Sequence, residues 1–238
     1  MTEKEIREKV IDVAQAYLGA KEGGKLHKQI IDIFNTVKPD GASMTYSAPW
    51  CASFVSGVEI EALGKTDAKK ICPLSYNCGT IIDRAKALGS WVEDDAYKPK
   101  IADWILYDWQ DSGKGDNTGG ADHVGIVEKV SGKKITVIEG NKNDKCERRT
   151  LAVNGKYIRG YVAIPYNKLV KKKKTLKVGS RIKIKKGANQ YGTPKAFASY
   201  VYGRTYKVIE IRGSRVVFAT TDGKTVMGAV NKSDCKVQ

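Results

Sequence analysis

Helical and strand patterns separate along this chain, with helices filling roughly the first 89 residues and strands and turns most of the remainder. Helices first and strands after is the order of an α+β fold. Thr2 and Glu5 form a capping-box pattern, and Ile6, Val10, Val13, Ala14 and Tyr17 then mark one face of an amphipathic helix that stops near Gly19. Lys38-Pro39-Asp40-Gly41 is a break, and a further helix is expected from about Asn77 to Leu88, closed by Gly89. Trp91 opens the strand-rich part, with strands at about 102–109, 123–130, 134–139, 149–153 and 157–164. The last two meet at Asn154-Gly155, a two-residue hairpin signal.

The chemistry centres on Pro49-Trp50-Cys51-Ala52-Ser53-Phe54-Val55. Pro49 suits a first helical turn, and Trp50, Phe54, Val55 and Val58 continue at helical spacing. Cys51 thus falls where free N–H groups and the helix dipole favour a thiolate. A buried structural thiol is the alternative reading for a lone cysteine; a base nearby decides between them. Only two histidines are present. His27 falls off the apolar stripe of its helix and is expected to be solvated. His123 opens the strand His123–Val130, which faces the strand Lys134–Glu139 across Ser131-Gly132-Lys133. An odd-membered turn centred on Ser131 sets His123 opposite Glu139, and Asn141 then shares their face. Cysteine, histidine and an orienting polar group make a nucleophile–base–orienter set.

Four ordered blocks now carry a resemblance: Pro49–Val55, Ala102-Asp103-Trp104-Ile105-Leu106-Tyr107-Asp108-Trp109, Asp122-His123-Val124-Gly125-Ile126-Val127-Glu128 and Glu139-Gly140-Asn141. Over about residues 45 to 165 they are similar to CHAP domains, the cysteine- and histidine-dependent amidohydrolases/peptidases that cut bacterial peptidoglycan. The resemblance implies a papain-like α+β domain with Cys51 as nucleophile, His123 as base, and Glu139 and Asn141 holding the imidazole. Tyr46 and Trp50, beside the nucleophile, are taken as substrate contacts. Family members often carry Gly where this chain has Ala102, and the calcium ligands that some carry ahead of the cysteine are lacking in Thr45-Tyr46-Ser47-Ala48. Asp108, Asp111 and Asp116 lie in a polar loop that departs from EF-hand spacing and reads as solvated.

The net charge of +16 is unevenly divided: from Lys168 onward there are 14 lysines, 4 arginines and 3 acidic residues, a net +15, against +1 for the rest. That asymmetry suggests a separate module with an anionic partner. Its short strands, at about 181–185, 205–212, 215–220 and 225–230, suggest a small barrel. Lys185-Lys186-Gly187-Ala188, Ala198–Tyr202 and Thr205–Glu210 resemble the bacterial SH3-like modules that follow lytic domains in endolysins. Tyr191, Tyr200 and Tyr202 are the candidate wall contacts, with Phe197 and Tyr206 as further aromatics. Five cysteines, an odd number without Cys-x-x-Cys spacing, argue against a disulfide framework, and Cys72, Cys78, Cys146 and His123 match no common zinc pattern.

The expected architecture is therefore a catalytic CHAP domain over 1–167, a basic linker over 168–175 and an all-β SH3-like wall-binding barrel over 176–238. The expected protein is a monomeric peptidoglycan hydrolase of the phage endolysin type, needing no metal or organic cofactor and acting on peptidoglycan and anionic wall polymers. It would be made in the cytoplasm, since the charged N-terminus lacks the apolar core of a secretory signal and no run is long enough to span a membrane. N-acetylmuramoyl-L-alanine amidase is the expected activity; stem-peptide or cross-bridge endopeptidase uses the same residues. A basic nucleic-acid- or surface-binding protein with a structural cysteine is the non-enzymatic alternative, and a nucleic-acid partner is not expected.

Overall fold

The computed structural model describes residues 1–94, 96–111, 119–170 and 174–238. Asp116 of the acidic loop and Lys171–Lys173 of the basic linker lie outside the described residues. The chain divides into two units, Met1–Lys171 and Lys172–Gln238.

In the first unit, helices α1 (Glu3–Ala16), α2 (Lys25–Asn35), α3 (Cys51–Leu63), α4 (Lys65–Ile71) and α5 (Cys78–Ala87) precede strands β1 (Trp91–Val92), β2 (Trp104–Tyr107), β3 (His123–Ser131), β4 (Lys134–Lys142), β5 (Lys145–Ala152) and β6 (Ile158–Val162). The six strands form one antiparallel sheet in the order β1-β6-β2-β3-β4-β5. Asn154-Gly155 therefore does not close a hairpin. Asn154 does turn the chain, at φ 59°, but β5 stays on the edge beside β4 while β6 crosses to pair with β2 and β1. Five consecutive buried residues in β6 explain the placement: such a strand needs cover on both faces, which an edge position beside the alternating β5 would not give.

Helix α3 is the centre of the unit. It is apolar nearly all round, with Cys51 through Ile60 buried, as a core helix must be. Two glycines set how close its neighbours come. A Cβ on Gly57 would lie 2.8 Å from Ile30 Cδ1 of α2, and one on Gly140 would lie 2.5 Å from Phe54 Cβ and 2.8 Å from Trp50 Cζ3. Glycine in β4 thus lets the sheet approach α3. The carboxylate α3 buries, Glu59, accepts hydrogen bonds from Trp104 Nε1 and the Tyr166 hydroxyl; burial pushes its pKa up to about 7. Opposite the helices, Ile105, Tyr107, Val127, Ile135, Val137, Ile158 and Tyr161 form a second apolar layer on the sheet.

Ala102 is a backbone exception. It is fully buried at φ 66°, the left-handed region where an L-residue is strained and glycine is not. The glycine common at this place in the resembling family has that physical reason. Asp103, next to it, is anchored by Arg7 Nη1 at 2.8 Å, the Tyr97 hydroxyl and the Lys100 N–H, which fix the start of β2 to α1.

The second unit holds strands β7 (Arg181–Ile184), β8 (Thr205–Arg212), β9 (Arg215–Ala219), β10 (Val226–Asn231) and β11 (Cys235–Val237). They form an antiparallel sheet in the order β10-β9-β8-β7-β11. The expected closed barrel is not found among the described residues. After β10 a 3-10 turn at Lys232–Asp234 carries the chain to the far edge, where β11 pairs with β7 and not with β10. The core of this unit is Ile182, Phe197, Val201, Tyr206, Val208, Val216, Phe218 and Val230 with their neighbours. Among the described residues no helix is long and apolar enough to cross a membrane.

Candidate active site

Cys51 is the first residue of α3, with Trp50 as its N-cap. Pro49 lies just outside the helix, so the helix begins two residues later than its proline suggests. Cys51 nevertheless keeps the position that matters, at the positive helix end. Its Sγ lies 4.0 Å from Sγ of Cys78, itself the first residue of α5. That second helix end is fixed by Asn77, whose side chain caps Thr80 N–H, and by Asp40. Asp40 accepts from Tyr76 N–H and the Ser75 hydroxyl and pairs with Arg84 at 2.9 Å.

His123 opens β3 and Glu139 lies in β4, joined by a hydrogen bond of 3.2 Å between Nε2–H and Oε2. The route to this contact differs from a simple odd-membered turn. Ser131 pairs with Lys134, so the turn has two residues, Gly132 and Lys133. Alone, that register would put His123 and Glu139 on opposite faces. A bulge at Glu128, between the Val127–Val137 and Lys129–Thr136 pairs, inserts one residue and restores the shared face. Continuing the register past Ile126–Ile138 brings Gly125 opposite Glu139. A Cβ on Gly125 would lie 2.5 Å from Val137 Cγ1 and 2.8 Å from Glu139 Cγ. The empty position gives the Glu139 side chain room to lie along the sheet toward His123.

With Nε2 committed to Glu139, the other ring nitrogen is left for Cys51, whose thiolate acts on the imidazole. The charges follow from these contacts. The Cys78 thiol donates to Cys51 and, against burial, holds it well below the ordinary thiol range; His123 and the Ala52 N–H act in the same direction. Cys78 is pushed up by that hydrogen bond, by burial and by the neighbouring charge, and stays a thiol. Burial would depress His123, but its contacts with Cys51 and Glu139 outweigh it and raise the imidazole to about 9. Burial would raise Glu139, yet His123 and Arg149 keep it low. These contacts favour a thiolate at Cys51, a protonated imidazole at His123 and an ionised carboxylate at Glu139.

Asn141 is placed differently from the expectation. It sits at φ 59° where β4 bulges against β5, and its Oδ1 is buried without a hydrogen-bond partner. No hydrogen bond joins it to His123 among the described residues; the imidazole's hydrogen-bond partner is Glu139. Trp50 is wholly buried, packed against His27 and Phe54 with its Nε1–H toward Glu22, so its indole belongs to the core and presents no face to a substrate. Tyr46 is 42 % exposed, its hydroxyl held by Asp32 at 2.6 Å. His27 is not solvated: it is fully buried between Trp50 and Tyr46, and its Nδ1 accepts the Gly23 N–H. Burial lowers its pKa and keeps it neutral.

In the second unit Tyr191 and Tyr200 are exposed, Tyr191 bonded to the Ser214 hydroxyl and Tyr200 under Arg204. Tyr191 lines a polar cavity of about 630 Å³ with Lys185, Lys186, Asn189 and Asp234. Tyr202 is half-buried, its hydroxyl donating to Ala188 O and accepting from Phe197 N–H, which ties it to the core; Phe197 and Tyr206 are core.

Four side chains at the candidate site were not expected there: Cys78, Tyr107, Trp109 and Arg149. Tyr107 is directly opposite His123 and stacks on it at 5.9 Å; Trp109 stacks on Tyr107 at 5.1 Å and remains 39 % exposed. Arg149 reaches in from β5, its Nε 2.6 Å from Glu139 Oε1. The signal for it was present in Asn143-Asp144, both at positive φ, which close a two-residue hairpin with Lys142 opposite Lys145. Extending that hairpin alone would set residue 149 opposite 138; the bulge between Glu139 and Lys142 moves it opposite Val137 and so onto the face of Glu139.

A helix-start cysteine, an imidazole and a buried carboxylate thus stand together at this site. Residues 42–141 match the family model of the CHAP domain, so the first unit carries a CHAP domain. A comparison with curated proteins gives no match. Two solved structures are similar. One, described as the crystal structure of Ly7917 with the hydrolyzing product of MDP, is 14% identical and covers 94% of this chain and 92% of that one, at a TM-score of 0.41. The other, the crystal structure of Ly7917, is 16% identical over 86% of this chain and 92% of that one, at a TM-score of 0.35. At these scores the likeness adds nothing to the geometry.

Proposed function

We propose that this protein is a cysteine-dependent peptidoglycan hydrolase that cleaves an amide bond of the stem peptide, with the N-acetylmuramoyl-L-alanine bond as its target. The observation that carries the reading is the chain Cys51–His123–Glu139 within a CHAP domain. The Cys51 thiolate attacks the amide carbonyl carbon. The developing oxyanion is met by backbone N–H groups at the start of α3, Cys51's own being the first. His123, already protonated beside the thiolate, gives its proton to the departing nitrogen, and the C–N bond breaks. Water, deprotonated by the now neutral His123, then attacks the thioester and releases the acid and the thiolate. Glu139 accepts from the imidazole throughout and fixes its orientation.

The second unit is proposed to hold the enzyme on the wall. Its support is the net +15 from Lys168 onward, the exposed Tyr191 and Tyr200, and a strand order, first strand between second and fifth, that is the order of SH3-like modules. A phage-type release is the proposed route to the wall.

Mass spectrometry of muropeptides released from purified walls tests the catalytic reading. Free muramoyl carboxyl groups with new L-alanine amino termini are expected, and none from Cys51→Ser. New termini inside the stem or cross-bridge would make the enzyme an endopeptidase, and full lysis by Cys51→Ser would overturn the thiol mechanism. Wall binding by the full-length Cys51→Ser protein is expected to weaken with salt, since exposed charges are screened beyond about 8 Å at physiological ionic strength. Binding unchanged by salt and by Tyr200→Ala would remove the second unit from the interaction.

A further inference from the structure

We propose that Arg149 is a positioning residue of the catalytic site, acting through Glu139 to keep that carboxylate ionised and aimed at His123. The inference rests on the reading of Glu139 as the group that orients the imidazole.

Glu139 is wholly buried, and its two oxygens are divided between two partners: Oε2 faces His123 Nε2 at 3.2 Å, and Oε1 faces Arg149 Nε at 2.6 Å. A carboxylate taken out of water is driven toward its neutral form unless an opposite charge and hydrogen bonds hold it ionised. His123 alone does not meet that need through the whole cycle, because it is neutral after giving up its proton. A permanent cation does, since the guanidinium does not titrate in this range. A protonated Glu139 could turn its O–H toward the imidazole and reverse the hydrogen bond; the ion pair with Arg149 prevents this.

The guanidinium is itself held in place. Its carbon lies 5.4 Å from the Tyr107 ring centre and 5.1 Å from that of Trp109, two rings stacked nearly parallel at 10°. Cation–aromatic attraction at these distances fixes a flat cation where a flexible one would swing free. Tyr107 in turn stacks on His123. Arg149, Glu139, His123 and Tyr107 therefore form a closed set of contacts that sets both the plane of the imidazole and the position of its acceptor. The other groups facing this carboxylate do not substitute for the arginine. The Tyr107 hydroxyl, from β2, is raised by burial and by Glu139 and stays neutral; Cys146, from β5, is pushed up by burial to about 12; Cys51, from α3, is a thiolate beyond the imidazole.

The test compares Arg149→Met, Arg149→Lys, Glu139→Gln and the double variant Arg149→Met/Glu139→Gln in the full-length protein. Hydrolysis of soluble wall fragments is followed against pH, and alkylation of Cys51 by iodoacetamide is followed in parallel as a substrate-free readout. Arg149→Met is expected to lower kcat about ten- to a hundredfold, as losing a partner that orients a functional imidazole does, with KM moved little. Its acid limb should shift to higher pH by about one unit in both readouts, because a removed cation raises the pKa of nearby acids. Arg149→Lys, which keeps the charge but not the planar fork, should recover most of the shift and only part of the rate. In the Glu139→Gln background, removing Arg149 should cost little more, since both act through one group. An unmoved acid limb in Arg149→Met, or a full and additive loss in the double variant, would overturn the role of Arg149. Wild-type rates for Glu139→Gln would instead overturn the orienting role of Glu139.

Discussion

A methyl group added at Gly125 tests the link between strand packing and the Glu139 carboxylate. In Gly125→Ala the new Cβ would lie 2.5 Å from Val137 Cγ1, 2.8 Å from Glu139 Cγ and 3.1 Å from Ile138 O. Carbon atoms rest at about 3.5–4.0 Å, so two contacts are too short by about 1 Å. Val137 and Glu139 are both fully buried and have no solvent to move into. Overpacking of this kind costs about 1–3 kcal/mol. For a unit the size of Met1–Lys171 each kcal/mol lowers Tm by about 2–4 °C.

Scanning calorimetry of the full chain is the assay. The transition of the first unit should fall by about 2–12 °C, while that of Lys172–Gln238 stays where it is. Activity should fall further than stability, because Glu139 is pushed off His123 even in the folded molecule. The double variant Gly125→Ala/Val137→Ala separates the two effects. It removes the 2.5 Å overlap but keeps the one on Glu139, so it should recover Tm without recovering rate. If Gly125→Ala melts within a degree of wild type and cleaves walls as fast, Glu139 does not depend on the space above Gly125.

Ala102→Gly should stabilise the first unit by up to about 1 kcal/mol, since relief of a left-handed alanine outweighs the freedom glycine gives the unfolded chain; a lower Tm would refute the strain at φ 66°. Iodoacetamide should alkylate Cys51 well below the pH at which ordinary thiols react, and Cys78→Ala should move that titration up by about one to two units, the worth of one hydrogen bond to a charged group. An unmoved alkylation profile in Cys78→Ala would show that the second thiol does not support the first. His123, raised to about 9 from an ordinary 6.5, contributes its full stabilisation below about pH 6.5 and loses it as pH rises through 9. Hydrolysis should fall over the same alkaline range as the acid is lost, and a rate still rising above about pH 10 would exclude the thiolate–imidazolium pair.

What the sequence made legible was local. Thr2 and Glu5 do form a reciprocal cap, the helix expected from about Asn77 does begin there, and Cys51 does stand at a helix start, because each depends on neighbours within a few residues. Pairing across the sheet was less secure. His123 and Glu139 share a face only because a bulge shifts by one residue the register that the two-residue turn sets, and the bulge at Glu128 leaves no mark in the residue pattern. The Asn154-Gly155 turn was legible, but which strands it would separate was not, since β6 answers to burial between β1 and β2.

Burial misled in the opposite direction. His27 lies off the apolar stripe of α2 yet is covered by Trp50 and Tyr46, from a segment the helix pattern says nothing about. Trp50, beside the nucleophile in sequence, points away from the site because a helix turns successive residues by about 100°, so neighbours in the chain face different surroundings. Arg149 shows the same principle in favourable form. It is ten residues from Glu139, in an edge strand, and looks like any edge cation until the Asn143-Asp144 turn and the bulge between Glu139 and Lys142 are both counted. The proposed pair Cys51 and His123 could be picked out from its chemistry, since cysteine and histidine are few. The groups that hold the pair in place are common residues, and only the register of the sheet distinguishes them from the other arginines, tyrosines and glycines of the chain.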